Sequence, residues 1–173
     1  MNPIAWLLAS HLAVAAPVIP DAQSPGAVDP MVTQENIHET ICAPGWSKEV
    51  RPSRNWSSPI KQRLLRQQHP DADSRAFELD HRVPIEDGGC PNCVTNLWLQ
   101  PWRDPHHHVC QFDVLPDAAC KDRLENYVHR QICSGKMTLD QGRAVFLGDW
   151  TKAYQSLIEG GHGERTRLSR RDR

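Results

Sequence analysis

At 173 residues, with 20 Lys and Arg against 21 Asp and Glu, the chain has a formal net charge of −1, far from the basic profile of a typical DNA-binding domain. It contains no internal repeat, Gly-rich phosphate loop, dinucleotide fingerprint or nucleophilic serine context, so covalent nucleophilic catalysis is not indicated.

The stretch from Ile4 to Ala16 is apolar and ends in small residues. That pattern predicts a secretory signal peptide over residues 1–16, with an A-x-A-like site near Ala13 to Ala16, although no Lys or Arg precedes it and His11 interrupts it. A membrane anchor is the other reading, but the run falls short of the roughly 20 residues that a spanning helix needs. Cleavage would leave about 155 residues, one domain by size, exported to the periplasm or medium with no stable membrane insertion. Residues 17–36, whose first half is rich in Pro, Ala and Asp, read as a flexible mature N-terminus ahead of a domain over 37–159. Between positions 48 and 66, Lys48, Arg51, Arg54, Lys61, Arg63 and Arg66 stand against Glu49 alone. Such a patch can hold phosphates through sequence-independent, salt-sensitive contacts, with Arg51, Arg63 and Arg66 as the expected substrate-binding residues; a solvated helix face is the plain alternative. Ser58-Pro59 predicts an N-cap and first helical residue, opening a helix through Gln68 with Ile60, Leu64 and Leu65 inward.

The run Phe77 to Pro84 places Asp80 beside His81 at a predicted strand end, with Gly88-Gly89 and Asn96-Leu97 behind. Neighbours on a strand point to opposite faces, but at a strand end both can be aimed at one centre. Asp80 would then bind a hard divalent cation while His81 stays free of metal and takes a proton from water. That division of labour suits phosphodiester hydrolysis. The pattern Asp-His-x2-Pro-x3-Gly-Gly-x6-Asn-Leu, here Asp80, His81, Pro84, Gly88, Gly89, Asn96 and Leu97, resembles the HNH endonuclease motif in its Asp-His form. Ile41-Cys42, Pro44-Gly45-Trp46, Lys121 to Asn126 and Ile132 to Gly135 extend the likeness to small exported bacterial HNH-like proteins. The resemblance implies a ββα-metal core: a strand ending in Asp-His, a second strand, and a helix that completes a divalent metal site for Mg, Mn or Zn. It makes Asp80 a metal ligand and His81 the general base, while Asn96 holds the loop and orients His81.

The sequence departs from the family where a helical His or Asn would follow, because that place is Pro105. His106-His107-His108 lies just beyond. The other source of a ligand is the segment from about Ala118 to Cys133, where Leu124, Tyr127, Val128 and Ile132 fall on one helical arc. Asp122, Glu125 and His129 form a polar strip beside it, and Glu125 is the expected ligand, with Asp122 as its alternative. Trp98 reads as core. Thr138 with Gln141 predicts a capping box for a helical region to about Ile158, broken at Gly148-Asp149 and burying Val145, Trp150, Tyr154 and Leu157. Residues 160–173 read as a disordered basic tail.

Cys42, Cys90, Cys93, Cys110, Cys120 and Cys133 make an even set, as expected where disulfides persist. One pairing ties Cys42 to Cys133 and joins the other four around the site. A tetrahedral structural zinc on Cys90, Cys93, Cys110 and Cys120 competes with it. The reading is an α+β domain with a ββα-metal core and flanking helices, acting as an exported, non-specific, metal-dependent endonuclease on DNA or RNA. A non-catalytic secreted binding module on the same scaffold and a structural zinc module are the alternatives.

Overall fold

The computed structural model describes residues 20, 22–103, 110 and 116–159, so the expected signal peptide, the His106–His108 triplet and the tail lie outside the described residues. The fold is mixed α and β. Helices α1 (Trp46–Val50) and α2 (Arg54–Gln68) precede strands β1 (Phe77–His81) and β2 (Leu97–Pro101); α3 (Ala118–Cys133), α4 (Leu139–Leu147) and α5 (Trp150–Tyr154) follow, the last running into a π turn over Gln155–Glu159. None of the described helices is long and apolar enough to cross a membrane.

Helix α2 begins one turn earlier than Ser58-Pro59 suggested. Extended Ser53 is its N-cap, and its carbonyl accepts from the Ser57 amide at 3.1 Å to close the first turn, leaving Pro59 inside the helix. Of the expected inward face, Leu65 is buried and Leu64 packs beside it against Phe77 and Leu99, whereas Ile60 is half-buried and outside that cluster. The strands pair antiparallel, with Glu78 opposite Gln100 and Asp80 opposite Trp98. Strand alternation therefore gives α2 the apolar face of Phe77, Leu79 and Leu99, and puts Glu78, Asp80, Trp98 and Gln100 on the other face.

Helix α3 buries three of the four residues of the predicted arc, and the fourth, Tyr127, is half-buried against them. Leu124, Val128 and Ile132 are fully enclosed and meet Leu139, Phe146, Trp150 and Tyr154 of α4 and α5, together with Val32, Ile37, Ile41 and Val83. Each such side chain contributes roughly 1.5–3 kcal/mol by leaving water. Asp117 caps the helix by accepting from the Cys120 amide, and the Thr138–Gln141 capping box closes the start of α4.

The N-terminal segment is a correction, since its described part from 22 to 36 is a packed strap and not a free linker. The Gly26 amide donates to the Thr95 carbonyl, Asp29 to Gly88 and Ser24 Oγ to Leu97, while Cys90 donates back to Ala27. The turn at Gly88-Gly89 is buried, and buried backbone groups need partners; this segment supplies them from 60 or so residues away (Asp29 to Gly88 spans 59), a distance at which local composition is silent. Arg143 fixes the strap by donating to the carbonyls of Asp29, Val32 and Gly88. Three disulfides, Cys42–Cys133, Cys90–Cys93 and Cys110–Cys120, use all six cysteines. With no thiolate left, the four-cysteine zinc reading is overturned.

Candidate active site

The centre of the site is the end of β1 and the loop behind it. Gly88 adopts φ 78°, a left-handed conformation natural to glycine, and a Cβ on Gly89 would collide with the Val83 carbonyl. These two glycines let the chain double back so that Asn96 can bridge the loop. Asn96 is fully buried, its Oδ1 accepting from the amides of Val83 (2.9 Å) and Ala27 (3.2 Å) and its Nδ2 donating to the carbonyls of Val83 (2.9 Å) and Cys90 (3.1 Å). The amide thus holds the loop as expected, but its capacity is spent on backbone, and the expected bond to His81 is not among its contacts.

His81 is instead oriented by the loop itself. Its Nε2 lies 2.9 Å from the Pro91 carbonyl, between the two half-cystines Cys90 and Cys93. A carbonyl can only accept, so Nε2 carries the proton and Nδ1 holds the lone pair in the neutral ring. Burial lowers the His81 pKa; the Pro91 bond and Asp80 act the other way, and the charges of Arg51 and Lys121 add to the lowering.

The acid and the imidazole do not share one centre. Strand pairing persists through His81, opposite Leu97, and continues with the Arg82 amide on the Asn96 carbonyl, so the pleat turns the two side chains apart. Asp80 meets α3. There the Lys121 ammonium donates to Asp80 Oδ2 at 2.6 Å, to the His81 carbonyl at 2.9 Å and to Glu125 Oε1. Asp80 and Glu125 are therefore brought together as expected, with a lysine between them. Lys121 also lies 5.4 Å from the centre of the Phe146 ring, within cation–π range. Sequence reasoning missed it because a lysine beside an aspartate on a helix reads as a solvated face. Its signal was the spacing of four to Glu125, which puts both on one side of the helix.

One ammonium faces several acids. Burial, then repulsion from Asp80, Asp122 and Glu125, pushes Glu78 up to about 9, and burial pushes Glu125 up to about 8 despite Lys121. Asp87 is wholly buried, neither of its oxygens has a hydrogen-bond partner, and burial raises its pKa well above the carboxylate range. Lys121 itself is held charged, because Asp80 and Glu125 outweigh its desolvation. Of the remaining expected residues, Asp122 is half-buried on α3, and His129 donates Nδ1–H to the Glu86 carbonyl at 2.8 Å. Arg51, at the end of α1, comes near enough for its charge to act on His81, whereas Arg63 and Arg66 are exposed on α2. Lys61 of the same helix is near enough to Glu78 to sense its charge.

The HNH resemblance implies a divalent ion at Asp80, and the polar strip of α3 makes Glu125 the ligand expected from the helix. The described side chains do not fit one there, since both carboxylates already accept from a buried ammonium, and no three His, Cys, Asp or Glu side chains among the described residues converge on a point. No family model, curated protein or solved structure matches the chain, so the site is read from its own geometry.

Proposed function

We propose that the chain is an exported phosphodiester hydrolase acting on DNA or RNA, with His81 as its general base. The observation that carries this reading is the bond from His81 Nε2 to the Pro91 carbonyl. It fixes the tautomer and leaves Nδ1 as the proton acceptor, while burial keeps the ring in the neutral form that a base requires. Nδ1 takes a proton from water, the water oxygen bonds to phosphorus, the ester P–O bond breaks, and the departing oxygen takes a proton from solvent. Arg51 supplies positive charge beside the base, with Arg63 and Arg66 further out on α2 as phosphate contacts. The sequence motif on a hairpin followed by a helix that reaches back to Asp80 supports the ββα reading, and the disulfides support export, because such bonds persist in oxidising compartments.

The test is cleavage of plasmid DNA and of RNA by the wild type and by His81→Ala. Loss of the base lowers the rate on the order of 100 to 10,000-fold. Equal rates in the two proteins would remove His81 from the mechanism. A second reading, a non-catalytic binding module, is favoured by the 7% exposure of His81. It predicts a wild type that binds nucleic acid and cleaves none.

A further inference from the structure

We propose that Lys121 is the permanent cation of this site: its ammonium takes the place between Asp80 and Glu125 that a divalent metal would need, so the protein binds no divalent metal there and its hydrolysis proceeds without one.

The geometry of the ammonium carries the argument. An ammonium has three N–H donors, and those of Lys121 meet three acceptors: Asp80 Oδ2, the His81 carbonyl and Glu125 Oε1. The side chain is 1% exposed, against 17% for Asp80 and 15% for Glu125. A lysine buried to this degree is retained only when paired, since an isolated ammonium in the interior is strongly disfavoured. Admitting a divalent ion to the same carboxylates would set two cations against each other within a few ångströms, or force Lys121 out from beneath Phe146 into solvent. Helix α3 opposes that escape, because Cys120 just before Lys121 and Leu124 three residues after it are fully enclosed, and Cys120 is bonded to Cys110.

Lys121 is a positioning residue and not a catalytic one, since its donors are all spent on protein. It anchors the β1 end through the His81 carbonyl and fixes Asp80, whose negative charge acts on the His81 ring. A metal-dependent enzyme obtains this ordering from its ion; here it is covalently attached. The inference rests on the proposed hydrolase reading only for its activity arm.

The experiment titrates Mn2+ into the full chain and follows the free-ion signal by electron paramagnetic resonance, alongside thermal unfolding. For the wild type the expected result is no stoichiometric binding and a midpoint that neither Mn2+ nor a chelator moves. Lys121→Asp replaces the ammonium with a third carboxylate, and should be less stable in chelator, regain stability with Mn2+ and bind about one ion. One Mn2+ bound per wild-type chain and lost in Asp80→Asn overturns the proposal, whatever the fate of Lys121→Asp. In the activity arm, wild-type cleavage in chelator should stay within about twofold of its value with Mg2+; a 100-fold loss restored by Mg2+ or Mn2+ overturns the proposal too. Absence of cleavage under every condition sinks the hydrolase reading and leaves the metal-binding arm to decide this one.

Discussion

Asn96 shows how much one side chain can be asked to hold. Its two amide atoms serve Val83 twice, Ala27 once and Cys90 once, and so join the strap, the Gly88-Gly89 turn and the start of β2. Leaving buried backbone groups unpaired costs about 1–3 kcal/mol each. Asn96→Ala should therefore lower stability by at least about 3 kcal/mol, read as a shift in the urea midpoint. Asn96→Asp keeps the shape and the Oδ1 bonds but turns both donors into an oxygen facing the Val83 and Cys90 carbonyls, so it should be destabilising to a similar degree. If Asn96→Asp unfolded at the wild-type midpoint, the loop-holding role would be lost. Lys121 is the opposite kind of residue: its local sequence suggests the surface, and only the carboxylates brought from β1 and from one turn along α3 explain its burial.

At the scale of elements, most local patterns were readable; the start of α2 was the exception, since Ser53 and not Ser58 is its N-cap. The arc of α3, the capping box of α4, the break at Gly148 and the inward Leu64 and Leu65 of α2 all rest on spacings of a few residues, and all are present. The strap from 22 to 36 and the opposite aim of Asp80 and His81 were not readable, because both depend on partners far along the chain. The disulfides divide in the same way. Cys42–Cys133 spans 91 positions and joins the segment before α1 to the end of α3, whereas Cys90–Cys93 spans three and shapes only the loop whose Pro91 carbonyl holds His81. Chain entropy then predicts about 4–5 kcal/mol of stabilisation from the first bridge and about 2 kcal/mol from the second. Replacing Cys42 and Cys133 by Ala should shift the denaturation midpoint far more than replacing Cys90 and Cys93 by Ser. The small bridge should show itself at His81 instead, whose ring resonances in NMR should move in the Cys90→Ser, Cys93→Ser double variant. An unmoved His81 resonance there would mean that the Pro91 carbonyl keeps its place without the bridge.

For the whole molecule, the near-zero net charge conceals a concentrated imbalance: Glu78, Asp80, Glu125 and Asp87 gather around Lys121. The consequence is a definite pH dependence of stability. Glu125 and Glu78 have folded-state pKa values pushed up to about 8 and about 9 from an ordinary value of 4.5, so the folded chain holds these protons more tightly than the unfolded one. Their contribution is fully present below about pH 4.5 and is lost as pH rises through the folded values. His81 works in the other direction, because its lowered pKa makes the folded state the weaker proton binder, but that effect is confined to pH below its ordinary value of 6.5. Between pH 7 and pH 9 the carboxyls act without this opposition, and stability should fall. A loss of at least about 1 kcal/mol lowers the melting temperature of a chain of this size by roughly 2–4 °C. Calorimetry at the two pH values and fixed salt checks this, and no free thiol is present to confuse the alkaline arm by disulfide exchange. Glu78→Gln removes the group with the higher of the two values and should flatten the slope between pH 7 and pH 9. A melting temperature that held steady or rose over that interval would show that Glu78 and Glu125 are ionised in the fold, and that the site carries more negative charge at neutral pH than one ammonium offsets.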